Sequence, residues 1–212
     1  MDDLEFAMLN TLVESLPVYQ ANLVLPDPAL VKYYKNEQDR IFYVDKTIDD
    51  STLELINLIV KCNKEDVGKP TEARKRILVM IDSPGGNVEV LGSVIGAIKN
   101  SKTPVHTCCY CTAYSAAADL LACGHKRYAL PMTNIMFHAG SCGYSGTQSQ
   151  VESAKKFFDN LGKRINAEVQ SRTKFDGKML KKLKTDDVYM NEEEALQYGV
   201  IDEILTDFDI LF

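Results

Sequence analysis

Cys111-Thr-Ala-Tyr-Ser115-Ala-Ala-Ala118 is the run whose reading decides the architecture. Residues 103–110 before it are rich in β-formers, and residues 116–123 after it are short-chained and strongly helix-favouring. A strand therefore hands over to a helix at Ser115. A hydroxyl there lies beside unpaired N–H groups and the positive end of the helix dipole, which suits a nucleophile. It is equally the place of an ordinary N-cap serine, so the surrounding segments have to decide between the two.

The same unit recurs upstream. Ile77-Leu-Val-Met-Ile81 is a continuous apolar strand of the kind buried on both faces of a parallel sheet, and it ends in Asp82-Ser-Pro-Gly-Gly-Asn87. Apolar residues at Val88, Leu91, Val94, Ile95 and Ile98 then mark a helix. Repeated strand, turn and helix predict an α/β fold around a parallel sheet. Asp39-Arg-Ile-Phe-Tyr-Val44 reads as an earlier strand, and Ile48-Asp-Asp-Ser51 opens a helix through Val60 with Asp50 or Ser51 as its cap. The polar residues 61–76 read as a surface loop.

Downstream, the helix after Ser115 runs to about Gly124, with strands expected at 127–130 and 134–138. Gly140, Gly143 and Gly146 make the next stretch extended or loose. The longest helix spans 148–172, with Phe157 beside Phe158 giving it two partly apolar faces. A capping box, Asn191 with Glu194, opens the last helix, Gly199 stops it, and residues 200–204 form a closing strand. At the front, Leu4, Met8, Leu9, Leu12, Val13 and Leu16 form a helical stripe, after which Pro17, Pro26 and Pro28 break regular structure. Residues 1–36 thus read as an arm and 37–212 as one domain.

The 212 residues, 45% hydrophobic and 25% charged, suit one ordinary globular domain with an appendage. A net charge of −6 and a pI near 5.2 argue against nucleic acid as partner, because phosphate contacts need clustered Lys and Arg. The lysines at 178–184 read as a solvated helix face. Met1-Asp-Asp-Leu-Glu5 has the wrong charge for a secretory or transit segment, and no apolar run reaches membrane-span length. Six unevenly spaced cysteines do not make a disulfide framework. The expectation is a cytoplasmic protein with no membrane partner.

Acyl transfer needs a nucleophile, a base, a group that orients the base, and donors for an oxyanion. Ser115, His138 and Asp187 stand at strand ends or in the loops that follow, where α/β proteins present ligand-facing residues. The Ser83-Pro-Gly85-Gly86 turn offers backbone N–H groups. Each has a duller reading: a core histidine, favourable charge before a helix, an ordinary turn. The turn also lacks the Gly-Lys-Ser/Thr ending of a P-loop. Cys108 and Cys111 have C-x-x-C spacing near His106, but a strand points alternate residues to opposite faces. They read as packing residues, with no metal and no cofactor assigned.

Taken together, Arg40-Ile-Phe, Ile81-Asp-Ser-Pro-Gly-Gly86, Ala113-Tyr-Ser115 with Leu120-Leu121, Arg127-Tyr-Ala-Leu-Pro131, Ile135-Met-Phe-His138 and Glu194-Ala-Leu-Gln-Tyr-Gly-Val-Ile-Asp202 follow a familiar order. In them the chain resembles the proteolytic subunit of the Clp protease, from about Asp39 to Ile204. The resemblance implies Ser115 as nucleophile, His138 as general base, Asp187 as orienting carboxylate and the N–H groups of Gly86 and Ala116 as oxyanion donors. Asp186 is the local rival to Asp187.

The resemblance further implies a Clp/crotonase-type α/β fold of repeated strand–helix units, with residues 139–172 as a protruding helix-and-strand handle. It implies self-assembly into stacked heptameric rings, a tetradecamer. An AAA+ unfoldase would feed unfolded polypeptide substrates to a serine endopeptidase enclosed there. Cys111 stands where the family has glycine, Ala116-Ala117 where it has Met-Gly, and Asp119 where it has an apolar residue. The chain also looks two residues shorter before Arg127 and carries an insertion at 67–76. Two other readings stay open: a non-catalytic ring subunit that regulates an active paralogue, and an acyl-CoA enzyme of the crotonase kind.

Overall fold

The computed structural model describes residues 27–140 and 143–211; the helical stripe expected over 4–16 lies outside them. The chain divides into two compact units, Met1–Tyr34 and Lys35–Phe212. Helix α1 (Pro28–Asp39) begins in the first and ends in the second. Pro28 was expected to break structure but starts this helix, since its fixed φ and missing N–H suit a first helical position. Asp27 accepts a hydrogen bond from the Ala29 N–H at 2.9 Å.

The second unit is a seven-stranded sheet with helices packed against it. Strand β1 (Ile41–Val44) is followed by a 3₁₀ turn (Asp50–Leu53) and α2 (Glu54–Glu65). Then come β2 (Ile77–Ser83), α3 (Val88–Asn100), β3 (Val105–Tyr114), α4 (Ala116–Ala122), β4 (Lys126–Ala129) and β5 (Asn134–Phe137). The remainder is α5 (Gln148–Arg172), α6 (Gly177–Lys182), β6 (Val188–Asn191), α7 (Glu192–Gln197) and β7 (Glu203–Ile204). Strands β1-β2-β3-β4-β7 lie side by side in parallel, as the strand–helix alternation predicts.

The ten-residue β3 serves two neighbours on one edge. Its residues 106–109 pair with β4, and beyond them 112–114 pair with β5. Strand β6 then adds to β5 antiparallel. Both faces of the sheet are covered, which is why β2 reads as unbroken apolar sequence. Ile77, Val79 and Ile81 enter the main core under the helices, while Leu78 and Met80 turn to a smaller cluster with Cys108, Tyr128, Leu205 and Leu211. Cys108 therefore packs as a small hydrophobe there, and Cys111 is exposed.

Three local expectations need correction. The 3₁₀ turn is capped by Asp49, whose carboxylate accepts from the Ser51 N–H at 2.9 Å, and not by Asp50 or Ser51. Residues 61–76 are not all loop: α2 continues to Glu65, because Leu58, Ile59 and Cys62 still face the core. Residues 139–140 and 143–147 include no strand, so among the described residues the handle expected over 139–172 is represented by the helix α5. A strand needs a neighbouring edge for its N–H and C=O groups. No helix among the described residues is long and apolar enough to cross a membrane.

Inside the stretch expected to be surface loop lies a fully buried carboxylate with four hydrogen bonds. Asp66 is fully buried and accepts from Arg40 at 2.6 and 3.1 Å, from Lys69 at 2.8 Å and from the Thr103 hydroxyl at 3.0 Å. Arg40 also donates to the Lys75 carbonyl at 2.7 Å, so the network joins the starts of β1, β2 and β3 to the end of α2. It holds Arg40 at a positive φ of 61°, which a non-glycine residue adopts only when its surroundings require it. The Arg40 hydrogen bonds keep the Asp66 carboxyl well below the usual carboxylate range.

A carboxyl depressed on folding contributes stability above its unfolded pKa of about 3.9, and that contribution is lost as pH falls below it. Asp66→Ala should therefore cost roughly 3 kcal/mol at pH 7, because it strips two hydrogen bonds from the buried Arg40 and leaves only Glu65, at 3.0 Å, to balance that charge. In urea melts the gap between wild type and variant should be constant from pH 8 to 5 and shrink below about pH 4. A gap that stays the same at pH 3 would contradict this account.

Candidate active site

Ser115 follows the last residue of β3 and caps α4. Its backbone has φ 55° and ψ −125°, a conformation that side-chain-bearing residues rarely adopt. Three contacts hold it. The Ser115 N–H donates to the Met136 carbonyl at 2.7 Å, and its own carbonyl accepts from Ala118 N–H at 2.9 Å and Asp119 N–H at 3.2 Å. Ala116, Ala117 and Ala118 behind it are all buried, so the first turn of the helix is enclosed on every side. The sharp turn lifts the hydroxyl clear of its own helix, with no cap hydrogen bond to it.

The hydroxyl meets an imidazole instead. His138 Nε2 lies 2.8 Å from Ser115 Oγ. The strand that accepts the Ser115 N–H at Met136 is the one that delivers His138, two residues on. The antiparallel register of β5 on β6 pairs Phe137 with Val188, and its continuation sets His138 opposite Asp187. Asp187 Oδ1 is 3.5 Å from His138 Nδ1, a loose contact by hydrogen-bond standards, with the carboxylate 57% exposed. Asp186 instead accepts from the Thr185 hydroxyl at 3.2 Å. Apo sites commonly hold such contacts longer than the reacting complex does.

The glycine turn closes the other side. Gly85 has φ 95°, and a Cβ there would stand 2.6 Å from the Tyr114 carbonyl oxygen and 2.8 Å from Ser115 Cβ. Ser83 Oγ accepts the Gly85 N–H at 3.1 Å, pinning the turn from below. Gly86 bridges to Ile48: Ile48 N–H donates to the Gly85 carbonyl and Asn87 N–H to the Ile48 carbonyl, each at 2.8 Å. In a parallel bridge those flanking groups face the neighbour, so the Gly86 N–H faces away from Ile48. Ala116 is the first residue of α4, whose N–H has no carbonyl within the helix to bond.

Ser115 and His138 open into a cleft of about 420 Å³ between α4, β5 and the long helix α5. Its walls are largely apolar, with Phe137, Ile165, Val169, Phe175 and Leu183 among them. Asp119 borders it one turn beyond Ser115. Burial pushes the Asp119 carboxyl up to about 7.

Sequence reading named Ser115, His138, Asp187, Gly86 and Ala116, and all five stand around this one corner of the sheet. It named the Ser83-Pro-Gly85-Gly86 turn but missed the Met136 carbonyl and the tight fit of Gly85, which depend on contacts between segments with no local signature. The Tyr114 and Tyr189 rings meet edge to face, 5.8 Å between centroids, and tie the end of β3 to β6 beside Asp187. The Clp protease family model matches residues 31–208 of the chain.

Gly85→Ala should cost about 2 kcal/mol or more, since it adds a clash with main chain to the strain of a positive φ. Gly68→Ala, at φ 85° in open space, is the control and should cost about 1 kcal/mol. Urea unfolding of both variants measures the difference.

Proposed function

Because the chain belongs to the Clp protease family, we propose that it is a serine endopeptidase acting on peptide bonds of unfolded proteins. The observation that carries this reading is the 2.8 Å contact of His138 Nε2 with the hydroxyl of Ser115, at a turn that no ordinary N-cap needs. Ser115 Oγ attacks the carbonyl carbon while His138 Nε2 takes its proton. The oxygen that becomes negative is met by the N–H groups of Gly86 and Ala116. His138 then gives the proton to the departing amine, leaving an acyl group on Ser115. Water repeats the sequence and frees the acid. Asp187 accepts from the Nδ1 side, fixes the tautomer and balances the imidazolium.

Having Ala116 where the family has methionine leaves this chemistry possible, because the oxyanion donor there is a main-chain group. Family membership supports assembly into stacked rings that enclose the sites, with an ATP-driven unfoldase supplying extended chains. Such confinement lets a weakly selective peptidase act without attacking folded proteins. The reading as a non-catalytic ring subunit is less well supported, since a scaffold has no use for the Ser115 and His138 contact.

A fluorophosphonate should label Ser115 of the assembled protein, and Ser115→Ala should lose labelling together with at least about 10⁴-fold of peptidase activity. Asp187→Asn should lower kcat by 10²-fold or more, on the order expected for a misdirected tautomer, while Asp186→Asn stays near wild type. Full activity in Ser115→Ala would point to an acyl-CoA reaction that needs only the oxyanion donors.

A further inference from the structure

Asp119 is a carboxylate in a place whose other walls are mostly apolar. It lies four residues beyond Ser115 on the same face of α4, about 6 Å along the helix axis at 1.5 Å per residue. The stem of a lysine or arginine side chain on the acyl side of the scissile bond covers such a distance. The cleft that both residues border is also lined by Phe137, Ile165 and Val169, which suit an aliphatic stem.

Among the described residues Asp119 has no hydrogen-bond donor or ion-pair partner from its own chain. Cations of neighbouring elements are otherwise placed: Arg172 donates to Glu168 at 2.8 Å, Lys99 pairs with Glu168 at 2.7 Å, and Lys184 is exposed where it borders the cleft. A half-buried carboxyl without a partner is costly to ionise in such a setting, and desolvation raises it accordingly. Such a cost is offset when a ligand supplies the missing cation.

Resting on the serine-peptidase reading of Ser115, we propose that Asp119 is a specificity-determining residue that selects a lysine or arginine side chain on the acyl side of the cleaved bond. The stem packs against the walls and the ammonium or guanidinium donates to the Asp119 carboxylate. A site built around a polar partner discriminates more sharply than an apolar slot, because an apolar substrate side chain leaves the carboxylate unpaired. Asn at 119 keeps the shape and removes the charge.

The test compares fluorogenic peptides that differ only in Arg, Lys or Leu at that position, with wild-type protein, Asp119→Asn and Asp119→Leu. In the wild type kcat/KM should favour Arg and Lys over Leu by about 10-fold or more. Asp119→Asn should remove that preference, and Asp119→Leu should reverse it. An unchanged ratio in both variants overturns the proposal.

A second measurement separates its failure from that of the peptidase reading. Ser115→Ala protein should bind the Arg peptide about 10-fold more tightly than the Leu peptide by fluorescence anisotropy, and Asp119→Asn on that background should bind them equally. Equal binding before Asp119 is changed overturns the role of Asp119, whatever the fluorophosphonate result for Ser115.

Discussion

One backbone conformation carries the arrangement: the turn at Ser115, with a positive φ on a residue that has a side chain. Such a turn persists only where its surroundings outweigh its strain. Here the Met136 carbonyl takes the N–H, Gly85 packs flush against the turn, and the three buried alanines allow α4 to lie down on the sheet. Every one of those contacts comes from a different strand or loop. The turn is therefore a product of the whole sheet, and the proposed nucleophile is positioned by the same packing that stabilises the fold.

That dependence explains the residue sizes along the chain. The run from Ala116 to Ala118 looks like plain helix-forming sequence, yet all three methyls are packed into the core. Gly85 and Gly86 are small for a related reason: any Cβ would meet Tyr114 or Ile48 main chain. The glycines that the family resemblance leads one to expect around Ser115 are replaced by Cys111 and Ala117, while those in the facing turn are kept. Only the second set stands against backbone that has no way to retreat.

Much of this was legible in the sequence, for definite reasons. The unbroken apolar run of β2, the glycine pair after it and the repeat of the unit at Ser115 predict a parallel sheet because period and punctuation are local signals. The long helix α5 and the Asn191 capping box are local as well. Asp66 was not legible. Its burial depends on Arg40, 26 residues away, and its own neighbours are polar. Neither was the choice of Asp49 over Asp50 and Ser51, since all three can cap and only backbone geometry separates them. The pairing that sets His138 against Asp187 is a matter of register, which nothing in either segment announces. Their grouping came from motif resemblance, and only the antiparallel β5 and β6 ladder gives it a physical cause.

The three side chains are not mounted alike. Ser115 and His138 are tied through one beam, β5, which lies between two strands and is almost wholly enclosed. Asp187 rides on β6, four residues long, paired on one side only and outward-facing at Tyr189. Small displacements of the sheet margin therefore change the imidazole-to-carboxylate gap while leaving the hydroxyl-to-imidazole gap alone. A neighbouring subunit leaning on that margin would act as a dimmer on the proposed reaction, grading its rate without dismantling the attacking pair.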